Sequence, residues 1–389
     1  MNGRRTRVVY ICQHLDVGGA EELIAAYMRR LPERGFEVGT ICLTRAGRIA
    51  REIEASGARF WLLPGEPGPR DPLAFLRLVR LLRALRPDVV HTFLLVAGLY
   101  GRLAALLAGV PVIVATEANV YARKAPRHIW LERLLGPFTW RVVASSKAVQ
   151  RFASRQTWVP IEKMPVLYNA IDFEALAGGP SRAEARVRLG LGADELVVGC
   201  IGRLTEQKGY PVLLDAFALV APRFPEARLV VVGDGPDEPR LRQQVAALNL
   251  GERVRLLGVR RDLATIFAAL DVFALASRWE GLPLAALEAM GYGLPVVTTA
   301  VGGSVEAIES GESGLLVPPG DAAAFAAALA RLLGDPELRQ RLGQEARARS
   351  RARFGLEVHL ERLARLYCDG LAGSPGDPSP GVPLMATGR

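Results

Sequence analysis

Val197-Val-Gly-Cys-Ile-Gly-Arg-Leu-Thr-Glu-Gln-Lys-Gly209 decides the fold. Its first five residues are apolar or small, which suits a strand covered on both faces. Gly202 lets the chain turn tightly out of that strand, and a helical pattern begins near Pro211. Strand, glycine turn and helix in that order start a βα unit. Arg203 and Lys208 then stand near a helix N-terminus, where two cations and the helix dipole make an anion site suited to phosphates. Lys208 carries extra weight. The chain has four lysines (Lys124, Lys147, Lys163, Lys208) against 45 arginines, and a retained lysine favours a site needing a compact point charge. Taken alone, a solvated turn with ordinary charges fits the segment equally well.

Working outward, the same alternation runs along the chain. In the first half, strands are expected at Arg7–Gln13, Val38–Leu43, Ala58–Leu63, Val89–Thr92, Val112–Ala115, Val142–Ala144 and Met164–Tyr168. In the second they are expected at Leu196–Ile201, Arg228–Val232, Val254–Leu257, Val272–Ala276, Val296–Thr298 and Leu315–Val317. Strands spaced by helical segments predict βαβ units and parallel sheets. Residues 173–195 carry Gly, Pro and charge but lack a strand, and read as a linker with a short helix. The fold class is therefore α/β, with two doubly wound domains over about 1–180 and 190–355, and ligands at the carboxyl ends of the strands facing the cleft between them. Residues 374–389 (SPGDPSPGVPLMATGR) have Pro and Gly but no core, and are expected to be disordered.

Composition narrows the class. The chain has 389 residues, half of them apolar and 23% charged, which excludes wholesale disorder. Cys12, Cys42, Cys200 and Cys368 are far apart in sequence, so no CxxC metal pair exists, and a reducing, cytoplasmic setting fits them. Leu94–Ala115 is apolar but carries Arg102 and is broken by Gly98, Gly101, Gly109 and Pro111. It reads as a helix, a turn and a strand rather than a membrane span. The net charge of +9 is uneven. Residues 1–180 hold 25 Lys+Arg and 15 Asp+Glu; residues 181–389 hold 24 and 25. The basic half points to an anionic membrane surface ahead of nucleic acid, since no zinc finger or base-stacking aromatic motif accompanies it.

Three more loops carry chemistry. In Glu280-Gly-Leu-Pro-Leu-Ala-Ala-Leu-Glu288, two glutamates eight apart lie about 80° apart on an ideal helix. Pro283 belongs in a helix's first turn, so Glu280 falls on the preceding loop and Glu288 one to two turns in. Both carboxylates can then reach one crevice and accept hydrogen bonds from sugar or ribose hydroxyls. Gly302-Gly303, in TTAVGGSVE up to Glu306, and Gly18-Gly19, in DVGGAE, bare backbone N–H groups at further helix starts.

GGAE at 18–21, GRLTEQKG at 202–209, VGDGP at 232–236, EGLPLAALE at 280–288, GG at 302–303 and GLLVPPGD at 314–321 occur in the order typical of retaining GT-B glycosyltransferases. The set resembles glycosyltransferase group 1, also called family 4, over about residues 8–370. The resemblance implies the GT-B fold: two Rossmann-like domains, the C-terminal one binding a nucleoside diphosphate sugar. It implies that Arg203 and Lys208 hold the donor diphosphate, with Gly202 in their loop. Glu280, with Gly281 and Leu282 beside it, would face the donor sugar, and Glu288 the ribose. Gly302 and Gly303 would line sugar and phosphates, and Gly18 and Gly19 would approach from the other domain. The last helix, about 357–372, would cross back onto the first domain. No metal or other cofactor is expected.

One departure stands out. Many relatives place a His after the strand corresponding to PVIVA, where this chain reads Thr116-Glu-Ala-Asn119. Glu117 and Asn119 are the candidates to replace it, with Arg123 and Lys124 as further acceptor-side candidates. His91 fits a common family position, as a catalytic or a packing residue.

The expectation is a cytoplasmic retaining glycosyltransferase, peripheral on the inner face of a membrane. It would move a hexosyl unit to a lipid-linked or polysaccharide acceptor. Arg77, Arg80 and Arg83, on an amphipathic pattern, together with Arg127, would favour anionic lipid. The alternatives are a GT-B protein that binds a nucleotide-sugar without transfer, or a GT-B epimerase.

Overall fold

The computed structural model describes residues 5–16, 18–63, 65, 71–120, 125–176 and 178–373. The disordered tail expected over 374–389 lies outside them, as do Arg123 and Lys124. Two parallel six-stranded sheets form the scaffold. The first contains β1 (Thr6–Leu15), β2 (Phe36–Ala46), β3 (Arg59–Leu62), β4 (Val89–Phe93), β5 (Val112–Glu117) and β6 (Arg141–Ala144), in the order β3-β2-β1-β4-β5-β6. The second contains β7 (Leu196–Ile201), β8 (Ala227–Val232), β9 (Val254–Leu256), β10 (Val272–Leu275), β11 (Val296–Thr299) and β12 (Leu315–Val317), in the order β12-β11-β10-β7-β8-β9. Each sheet reverses its winding beside its first strand, so β1/β4 and β7/β10 are the switch points where crevices open.

The central strands are buried on both faces. Val8 to Cys12 and Val197 to Cys200 are inaccessible or nearly so. Helices supply the cover. The helix Tyr210–Val220 buries Leu213, Leu214 and Phe217 against the second sheet, each such side chain worth about 1.5–3 kcal/mol. Cys12, Cys42 and Cys200 are buried free thiols.

Two expectations change. Met164–Tyr168 is not a strand but a single bridge, Ala144 to Val166. Pro165 has no N–H to donate, and only the Ala144 N–H to Pro165 carbonyl and Leu167 N–H to Ala144 carbonyl bonds form, each 3.0 Å. The helix Arg182–Leu189, read as part of the linker, belongs to the second domain. Its capping box joins Ser181 and Glu184, and the buried Arg186 guanidinium holds Asp271 at 2.7 Å. That same carboxylate accepts the Val197 N–H at 2.7 Å, tying the helix to the first residues of β7.

The last helix, Leu356–Ala372, crosses back to the first domain. Leu356, Leu360, Leu363 and Tyr367 enter the core that holds Tyr10, Phe36 and Val112. Among the described residues, no helix is long and apolar enough to cross a membrane.

Candidate active site

The loop after β7 is built to hold Lys208 in place. A short turn, Glu206–Lys208, ends at Gly209 with φ 63°, and a Cβ there would lie 2.0 Å from the Ala276 carbonyl oxygen. Only glycine allows this approach of the loop to the end of β10. The Tyr210 hydroxyl donates to the Gly202 carbonyl at 2.8 Å, and the Arg278 N–H donates to Gln207 at 2.8 Å. The Lys208 Nζ then donates to Glu280 Oε1 at 2.6 Å, and Ser277 Oγ donates to the same oxygen at 2.6 Å. Glu280 is buried, Lys208 is half-buried, and Arg203 is exposed on the same loop. A cation close to bulk solvent, facing a buried carboxylate, is a site that can exchange its partner for an incoming anion.

Three backbone segments stack beside this pair. A Cβ on Gly302, at φ 47°, would lie 1.8 Å from the Glu280 carbonyl oxygen, and one on Gly303 2.1 Å from that of Gly281. A Cβ on Gly281 would lie 2.1 Å from the Ala118 carbonyl oxygen, which belongs to the first domain. The loop after β5 therefore touches the loop after β10, and the two domains meet at Gly281. Asn119 lies at this seam, and its Oδ1 is shielded from solvent with no hydrogen-bond partner among the described residues. Leu282 is buried beneath.

The glycine pair of the first domain comes to the same place. Gly19 packs on Leu284, where a Cβ would lie 2.0 Å from Cδ1. Gly18 is overlaid by the Glu21 carboxylate. One turn on, Glu22 raises the charge density around Glu288. Burial first, and the Glu22 carboxylate second, push Glu288 up to about 7. Glu288 is thus poised between a hydroxyl-accepting carboxylate and a neutral acid.

Glu306 was quoted with its motif but assigned no role, and the structure supplies one. Its carboxylate accepts the Lys147 N–H at 2.9 Å, the Ala148 N–H at 2.8 Å and the Tyr168 hydroxyl at 3.0 Å. A residue of the second domain thereby caps the first-domain helix Lys147–Thr157, alongside that helix's own cap, Ser146. Nothing in either segment alone signals the other.

Two candidates are placed away from the cleft. Of the two roles open to His91, its surroundings fit packing. It is fully buried at β4, with Nδ1 against the Tyr367 hydroxyl and Nε2 against Thr116 Oγ1, each at 2.6 Å. Burial, with His359 adding to it, pushes it down to about 3, so it is neutral and locked. Glu117 does not meet the cleft. It is buried beside Arg102, whose guanidinium burial pushes down while Glu132 and Glu117 oppose the shift. Of the acceptor-side candidates, Asn119 alone is brought to the seam among the described residues.

Among the described residues, no group of three or more His, Cys, Asp or Glu side chains is arranged to hold a metal ion. A cavity of about 470 Å³ flanks the Lys208 loop, lined by Glu206, Gly209, Asp237, Arg240 and Arg278. Neither Glu280 nor Glu288 lines it, so it is separate from the seam.

Comparison with known proteins agrees with this geometry. Residues 17–175 match the family described as Glycosyltransferase Family 4, and residues 181–349 match Glycosyl transferases group 1. The chain is 33% identical to a D-inositol 3-phosphate glycosyltransferase of Stackebrandtia nassauensis, covering 92% of this chain and 88% of that one. It is 28% identical to the UDP-Gal:alpha-D-GlcNAc-diphosphoundecaprenol alpha-1,3-galactosyltransferase of Escherichia coli, covering 91% and 94%. Among solved structures, Anabaena HepE in complex with UDP and glucose superposes with a TM-score of 0.83 at 25% identity, covering 92% and 98%. Family matches in both domains, and a relative one-third identical over nearly the whole length, place this chain in the group 1, family 4 glycosyltransferases: it is a glycosyltransferase of the GT-B fold.

Proposed function

We propose that the protein is a retaining transferase. It moves a hexosyl unit from a nucleoside diphosphate sugar, a UDP-sugar first among them, to a lipid-linked or polysaccharide acceptor on the cytoplasmic side of a membrane. The Escherichia coli relative is named for a UDP-sugar donor and a diphosphoundecaprenol-linked acceptor, and the Anabaena structure holds UDP and glucose. The observation that carries the reading is the Lys208–Glu280–Ser277 cluster, set where the two domains meet at Gly281 and Ala118.

The donor diphosphate replaces Glu280 as the partner of Lys208, and Arg203 adds a second charge. Glu280, released from Lys208, accepts hydrogen bonds from the sugar hydroxyls, and Glu288 accepts from the ribose. As the bond from the anomeric carbon to the phosphate oxygen breaks, Lys208 and Arg203 stabilise the leaving diphosphate, as fixed charges aimed at developing negative charge do. The acceptor hydroxyl enters past Asn119 on the same face. Its oxygen bonds the anomeric carbon and its proton passes to the leaving phosphate oxygen, which retains the anomeric configuration. The two arginine and lysine charges do the neutralising for which other transferases use a cation. Contact between the domains excludes water and limits hydrolysis of the donor.

Proton NMR of the product formed from an α-linked UDP-hexose and a diphospholipid-linked GlcNAc acceptor tests this. An α-linked product with rate unchanged by EDTA is expected. A β-linked product refutes retention, and loss of rate with EDTA refutes metal independence. Absence of transfer from every nucleoside diphosphate sugar refutes the donor class.

A further inference from the structure

We propose that the helix Pro126–Leu135, the turn Gly136–Phe138 that follows it and the end of the helix Lys147–Thr157 form a face that docks on an anionic lipid bilayer. The proposal deepens the reading of a lipid-linked acceptor and rests on it.

An amphipathic helix normally turns its apolar stripe inward. The helix Pro126–Leu135 does so only in part. Glu132 and Leu135 are buried, while Trp130, Leu131 and Leu134 are exposed, and Phe138 continues the exposure in the following turn. Trp130 and Leu134 are four apart on the helix, about 40° from one another, so they share one side. Trp130 is 69% exposed and Trp158, at the end of the helix Lys147–Thr157, is 70% exposed. The two helices are joined here. The Arg133 guanidinium lies 3.5 Å over the Trp158 ring, and its N–H groups donate to the Gln156 carbonyl at 3.0 and 3.2 Å. Ile161 is exposed just beyond. Exposed apolar groups gathered in this way mark an interaction surface.

Charge selects a bilayer over a protein partner. Residues 126–163 hold seven Lys+Arg (Arg127, Arg133, Arg141, Lys147, Arg151, Arg155, Lys163) against Glu132 and Glu162, and Glu132 is buried. Exposed tryptophans rimmed by arginines match the headgroup zone, where indole rings settle and basic residues meet anionic lipid. The helix Pro72–Leu85, with Arg77 and Arg80 exposed, packs on the helix Leu95–Ala108, which in turn packs on Pro126–Leu135, so basic charge continues across this layer. Position also fits. The helix Pro126–Leu135 starts seven residues after Asn119 at the seam, and Leu134 is about 12 Å further along its axis. Docking by this face brings the acceptor side of the cleft to the membrane.

Vesicle flotation tests the proposal. The wild-type protein is expected to float with phosphatidylglycerol-containing vesicles, to stay in solution with pure phosphatidylcholine, to release with salt, and to blue-shift its tryptophan emission on binding. Trp130→Ser/Leu134→Ser/Phe138→Ser is expected to lose about tenfold or more in partition, with Trp130→Ala intermediate. All three side chains are exposed, so the variant is expected to keep its melting temperature and its transfer to a short-chain, water-soluble acceptor. Flotation of the triple variant like wild type overturns the proposal. So does a wild type that ignores anionic vesicles and forms a dimer, by light scattering, that the substitutions dissociate. If flotation behaves as expected while no lipid-linked acceptor is glycosylated, the acceptor assignment fails and the docking face stands.

Discussion

Removing the Glu306 carboxylate should loosen the contact between the domains without unfolding either one. Glu306→Ala deletes three hydrogen bonds, to the amides of Lys147 and Ala148 and from the Tyr168 hydroxyl. Bonds to a charged group contribute about 1.5–3 kcal/mol each when buried. Here Lys147 is exposed, water can replace the carboxylate, and Ser146 still caps the helix. The loss therefore falls to about 1–2 kcal/mol, the range for an N-cap replaced by alanine, and about 1.4 kcal/mol is a tenfold change in the contact equilibrium. Hydrogen exchange reads this directly: the Lys147 and Ala148 amides should exchange up to about tenfold faster in Glu306→Ala. The donor KM should rise by about three- to tenfold, because the binding-competent arrangement is less populated. Glu306→Gln, which keeps one accepting oxygen, should fall between. Tyr168, pushed above its ordinary value by burial and then by Glu306, should titrate lower in Glu306→Ala. Unchanged amide exchange and unchanged donor KM in Glu306→Ala would refute the reasoning.

Glu288 should make stability pH-dependent. Its folded value of about 7 lies above the ordinary 4.5, so between those values the folded state binds more protons than the unfolded one. Stability from this group is complete below about pH 4.5 and is lost as pH rises through about 7. Glu288→Gln should therefore raise the melting temperature at pH 8 relative to wild type and change it little at pH 4.5; the opposite pattern would sink the assignment. His91→Ala should lower stability by about 3 kcal/mol, through a cavity and two orphaned hydroxyl partners, measured by urea unfolding. The surviving folded enzyme should keep its kcat; a variant with unchanged stability and abolished kcat would restore a catalytic role.

The elements legible in the sequence are those whose signals are local. The β-branched runs and glycine turns of β7 and its loop can be read within a dozen residues, and the Lys208 loop forms where the spacing of GRLTEQKG places it. What was not legible depends on partners far along the chain. His91 looks like a residue at a strand end, and its burial is set by Tyr367, 276 positions away, on the helix that crosses back. Glu117 ends β5 and Asn119 lies two residues on in the following loop, yet one turns in toward Arg102 and the other lies at the seam. The direction is set by the helices packed outside β5, which the pattern TEAN does not encode. Glu306 acts across the domain boundary, 158 and 159 positions from the amides it caps. Met164–Tyr168 has the composition of a strand, but its proline limits pairing to a single bridge.

The central claim is that Lys208 receives the diphosphate of a nucleoside diphosphate sugar. Calorimetric titration of UDP, GDP and ADP into the wild type, Lys208→Ala and Lys208→Ala/Glu280→Gln measures it most directly. The double variant matters because removing Lys208 alone leaves the buried Glu280 charge without its partner. At least one nucleoside diphosphate should bind the wild type at a single site, and both variants should bind it at least about tenfold more weakly, the loss of one charge-assisted contact. Equal affinity in wild type and double variant, or no binding of any nucleoside diphosphate to the folded wild-type protein, would contradict the account.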